Sequence, residues 1–66
     1  MVTYLNHPES ESIKAHTDIL LNGKYIGYYI EDNKILTAFI EIYGEMNAGE
    51  FETQEQITIT VKKLIN

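Results

Sequence analysis

Asn22-Gly23 stands between two apolar runs, and no other feature of the chain restricts its fold as tightly. Both residue types tolerate the positive φ of a two-residue type I′ turn, whose twist matches that of the strands it joins. A hairpin centred on this pair is the first expectation. A second polar break, Glu31-Asp32-Asn33-Lys34, separates the apolar runs 25–30 and 35–43. With Asp32 and Asn33 at its tip, Glu31 would oppose Lys34 as a cross-strand ion pair. Together the two turns predict a three-stranded meander.

Counting outward from the turns sets an expected register. Ile19 opposes Ile26, Thr17 opposes Tyr28, Ile30 opposes Ile35 and Ile26 opposes Phe39. One face would carry Ile13, Ala15, Ile19, Leu21, Ile26, Tyr28, Ile30, Ile35 and Phe39; the other would carry His16, Asp18, Leu20, Tyr25, Gly27, Tyr29, Leu36, Ala38, Ile40 and Ile42. Both are mainly apolar, whereas a sheet with one wet face alternates apolar with polar residues, so something must cover the second face. Residues 57–61 alternate strictly and are rich in β-branched side chains, which predicts a further strand.

Two segments also fit helices. Asn6 with Glu9 three residues later matches a capping box, Pro8 suits a first turn, and Gly23 suits a C-terminal cap, so residues 8–21 read alternatively as an N-terminal helix that would supply the missing cover. Residues 35–43 match helical spacing about as well as strand spacing, with strand favoured. Residues 6–12 and 44–49 read as loops. Gly44 would then open a longer, more tolerant loop than the tight turn at Gly23. The expectation is a mainly β single domain over residues 1–66. It would be a small antiparallel sheet of four to five strands, as a meander, roll or small barrel, with the N-terminal helix as alternative cover.

A 66-residue chain buries only roughly 60% of its unfolded surface, which allows one core and no second. The absence of Cys removes disulfides, thiolate metal sites and thiol nucleophiles together, so a partner subunit is an expected source of stability. Ten acidic residues against five lysines and no Arg give a net charge of −5. No cation lies between Lys34 and Lys62, where Glu41, Glu45, Glu50, Glu52 and Glu55 fall. Such a stretch repels a phosphate backbone, and direct nucleic-acid binding is not expected. It reads either as a solvated surface or as an acidic surface suited to a basic groove on another protein. No apolar run is long enough for a membrane span and the first residues lack a signal-peptide pattern, so a soluble, cytoplasmic protein is expected.

Little in the chain points to catalysis. Ser10 and Ser12 have His7 and His16 as possible bases but lack the Gly-x-Ser-x-Gly elbow that exposes a nucleophile. His7 and His16, with Glu9, Glu11 and Asp18 nearby, are metal-ligand types, yet no His pair has the His-x-x-x-His spacing, and no metal is expected. The acidic stretch 41–55 lacks the alternating oxygen ligands of an EF-hand loop. The four glycines are scattered, without a phosphate loop, and the chain is too small to enclose paired carboxylates in a pocket. No enzyme activity and no cofactor are expected.

Tyrosine is enriched, with five in 66 residues, and tyrosine is favoured at interfaces. In the expected register Tyr25 and Tyr29 flank Gly27, which faces Ala38, leaving either a bend or a notch for a partner's side chain. The candidate protein-binding residues are therefore Glu41, Glu45, Glu50, Glu52, Glu55, Tyr25, Gly27 and Tyr29. The expected function is a non-enzymatic protein-binding module, self-associating first of all. A specific version is a small acidic inhibitor or regulator of a larger protein, from a phage or mobile element, suggested by size, acidity and Ile, Asn and Tyr richness. The alternatives are an accessory domain that binds a small molecule or metal at a subunit interface, and a purely structural subunit.

Overall fold

In the computed structural model, which describes all 66 residues, Asn22 and Gly23 take φ of 52° and 83° and join the strands His16–Leu21 and Lys24–Asp32. With Val2–His7, Ile35–Ile42 and Glu45–Phe51 these form one five-stranded antiparallel sheet. Named β1 to β5 in chain order, the strands lie side by side in that same order. One helix, α1 (Gln54–Ile65), follows. The mainly β expectation holds, but the helix is C-terminal: residues 16–21 of the expected N-terminal helix form β2, and residues 8–15 link it to β1.

The meander differs from the expected one at three points. The second turn is Asn33-Lys34, at φ of 54° and 67°, so Asp32 pairs with Ile35 and Glu31 with Leu36 in place of Lys34. Tyr43 and Gly44, at φ of 55° and 78°, close a third two-residue turn, and strand β5 covers residues 45–49 of the loop expected over 44–49. Gly44 is thus as tightly placed as Gly23. Third, the register shifts between Ile19 and Leu20, because β3 carries a bulge at Ile26. Ile19 consequently pairs with Gly27, Thr17 with Tyr29, Ile30 with Thr37, and Gly27 with Ile40.

The bulge re-sorts the faces. Ile19, Ala38, Ile40, Leu36 and Ile42 share the core side with Ile26, whereas Tyr28, Ile30 and Phe39 turn to the opposite side with Asp18. Gly27 is buried where the backbones approach; a Cβ there would run into the Phe39 carbonyl oxygen.

The segment 57–61 forms the middle of α1, not a strand. Thr53 caps the helix by accepting a hydrogen bond from the Gln56 amide at 3.2 Å, while the Gln56 side chain accepts from the Glu52 amide at 2.8 Å. This is a variant of the reciprocal capping box. Glu55 in the first turn and Lys62 and Lys63 in the last complement the helix dipole. Ile57 and Val61, one turn apart, are fully buried against the sheet, whereas Ile59 points away and is 47% exposed. The helix lies over β4 and β5. At roughly 18 Å by 10 Å it covers about half of one face of a sheet roughly 20 Å wide, and none of the other face.

Candidate functional site

Alternation along the strands builds the helix-free face from three cross-strand rows. Leu5, Asp18, Tyr28, Phe39 and Ala48 form the middle row, each paired with the next. One outer row carries the His7–His16 pair and the Ile30–Thr37–Glu50 series. The other carries the Thr3–Leu20–Tyr25 series and the Glu41–Met46 pair. Aromatic rings link the centre of this face: Tyr28 lies 5.4 Å from Phe39, and His16 meets Tyr28 edge-on at 6.1 Å. Leu20, Tyr28, Ile30 and Phe39 are half-buried among themselves, and Leu5, Tyr25 and Met46 are 52%, 54% and 62% exposed. A shallow depression between Ile13, Tyr25, Tyr28 and Ile30 has a volume of about 310 Å³.

The charged groups sit at the two ends of this face. His7, His16 and Asp18 gather at the β1–β2 end, with His7 Nε2 2.8 Å and His16 Nε2 3.7 Å from the carboxylate oxygens of Asp18. Glu41 and Glu50 project at the β4–β5 end. Partial burial first, then the charge of Asp18 and the neighbouring Tyr28, raise the Tyr25 phenol above its ordinary value of 10.0.

The helix side holds a second concavity, an open groove of about 450 Å³ between α1 and the ends of β1 to β3, lined by Tyr4, Asn6, Thr17, Tyr29, Glu31 and Gln54. Its polar groups bond to one another. The Tyr4 hydroxyl lies 2.6 Å from that of Thr58, to which it donates, and 3.2 Å from the Gln54 carbonyl. Gln54 donates to the Tyr29 hydroxyl at 2.9 Å, and Thr17 donates to Asn6 at 3.2 Å. Burial raises the Tyr4 phenol above its ordinary 10.0, the Thr58 bond opposes this and Tyr29 adds to it. It therefore stays a neutral donor at neutral pH.

The expected binding residues are dispersed by this architecture. Of the five glutamates only Glu41 and Glu50 share the helix-free face; Glu45 pairs with the core residue Ile42, Glu52 follows β5, and Glu55 starts α1. The notch expected between Tyr25 and Tyr29 does not form. The bulge separates them, leaving Tyr25 on the free face and Tyr29 on the helix face, 6.0 Å from Tyr4. The sequence reading missed Tyr28 as the cross-strand neighbour of Asp18, and it missed the His7–His16 pairing, which depends on β1 being a strand. No protein-family model, curated protein or solved structure gives a significant match to the chain. No helix is long and apolar enough to cross a membrane.

Proposed function

We propose that the protein is a non-enzymatic binding module of the cytoplasm, and that the helix-free face pairs with the same face of a second copy. One observation carries this reading: an entire sheet face presents an aromatic and aliphatic middle with no layer packed on it. Patches of this kind on small proteins mark interaction surfaces, and two sheets stack at about 10 Å to form a sandwich core. Strand order allows a self-complementary arrangement. A two-fold axis along β3 lays β1 and β2 of one copy over β5 and β4 of the other, so both copies present the same surface.

Sedimentation at ~100 µM tests this, since micromolar pairing is then well populated. The wild type should show a dimer that dissociates on dilution, and Phe39→Glu should be monomeric while keeping its circular dichroism. A single monomeric species for the wild type would exclude self-pairing. The groove beside α1 favours a second reading, a small-molecule accessory domain, through its mixed tyrosine, amide and carboxylate lining. Chemical-shift changes confined to Tyr4, Asn6 and Gln54 on screening polar small molecules would support that reading over pairing.

A further inference from the structure

The geometry points to a transition-metal site formed by His7, His16 and Asp18, with zinc as the matching ion. Strand pairing assembles it. His7 ends β1, His16 begins β2 directly opposite, and Asp18, two residues along β2, returns to the same face. The three side chains offer two nitrogens and a carboxylate whose ligand atoms all lie within 4.8 Å of one another. A tetrahedral ion with bonds of about 2.0–2.1 Å holds neighbouring ligand atoms about 3.3 Å apart. The 3.7 Å separation of Asp18 from His16 is near that figure, while His7 Nε2, 2.8 Å from Asp18, is hydrogen-bonded to it and gives up that bond when the ion enters. The His7 and His16 rings stack with centroids 4.8 Å apart and 19° between their planes, so His7, on an edge strand with its side chain 40% exposed, must turn out of that stack to aim its nitrogen at the ion.

The hydrogen bonding gives an independent reason. His16 Nδ1 lies 2.9 Å from the Lys14 carbonyl oxygen, which can only accept, so Nδ1 donates there and Nε2 is the ring atom left to meet a ligand. Nε2 stands 3.7 Å from the Asp18 carboxylate, too far for a hydrogen bond and wide enough for an ion bonded to both. A backbone carbonyl that fixes the ring of a metal-binding histidine is also the usual outer support of such a ligand. The nitrogen donors select against magnesium and calcium, and three protein ligands leave a fourth position for water or an external ligand. The site lies wholly within one chain and does not depend on self-pairing.

Zinc titration of the intact protein by calorimetry, with cobalt(II) absorption as a second readout, tests the assignment. One ion per chain and a tetrahedral cobalt spectrum are expected, with no saturable magnesium binding. Asp18→Asn and His7→Gln should each weaken zinc binding by about tenfold or more, whereas Glu9→Gln with Glu11→Gln should leave it unchanged. His7→Gln alters an edge position and serves should Asp18→Asn disturb the fold, which circular dichroism of the metal-free variants reads. The Phe39→Glu variant should bind zinc as the wild type does, so that loss of pairing and loss of the site are separable. Absence of 1:1 binding, or equal affinity in the ligand variants, would overturn the proposal.

Discussion

Gly27 shows how much one residue decides. It sits at the bulge of β3, where a Cβ would meet the Phe39 carbonyl oxygen on the neighbouring strand. Gly23, by contrast, has open space around its missing side chain and only a positive φ to satisfy. Gly27→Ala should therefore lower stability by about 2 kcal/mol or more, through backbone displacement in a packed sheet, and Gly23→Ala by about 1 kcal/mol. Urea midpoints of the two variants check the order, and equal midpoints would refute it. The bulge is also the residue-scale reason why the two faces were mis-sorted from sequence. The turn at Asn22-Gly23 was legible because positive φ has a strong residue preference. A single extra residue inside a run of Tyr and Ile leaves no such mark, and it flips every side chain beyond it.

At the scale of elements, α1 and β5 were the ones misread. Alternating Ile and Thr over residues 57–61 carries the strand period, yet Ile57, Val61 and Leu64 also carry the helical one. The capping sequence Thr53-Gln54-Glu55-Gln56, legible but unused, decides for helix. Threonine is tolerated there because Thr58 and Thr60 donate their hydroxyls to the Gln54 and Gln56 carbonyls one turn back. The helix gives residues 59 and 61 unequal roles, whereas a strand would place them on one face. Val61→Ala should cost about 2 kcal/mol through lost burial and the cavity left behind, and Ile59→Ala within about 0.5 kcal/mol. Equal losses in thermal unfolding would contradict this packing. β5 escaped notice because Asn47, Ala48 and Gly49 resemble a loop in composition and acquire their strand geometry from pairing with β4.

The whole molecule is a two-layer slab in which strand order in space repeats strand order in sequence. Each pairing therefore closes only a short stretch of chain, at small entropic cost, and a fold rich in such local pairings forms quickly. A few ties reach much farther. The hydroxyls of Tyr4 and Thr58 meet across 54 residues, joining the first strand to the roof helix. That bond can form only after the hairpins and the docked helix are in place, so it belongs to the late, native side of the folding barrier. Tyr4→Phe should then leave the refolding rate nearly unchanged and speed unfolding by about fivefold for about 1 kcal/mol lost. A stopped-flow chevron reads both arms, and a slowed refolding arm would place the contact early. On this view the meander sets how fast the protein assembles, and the junction between its first strand and its helix sets how long it stays assembled.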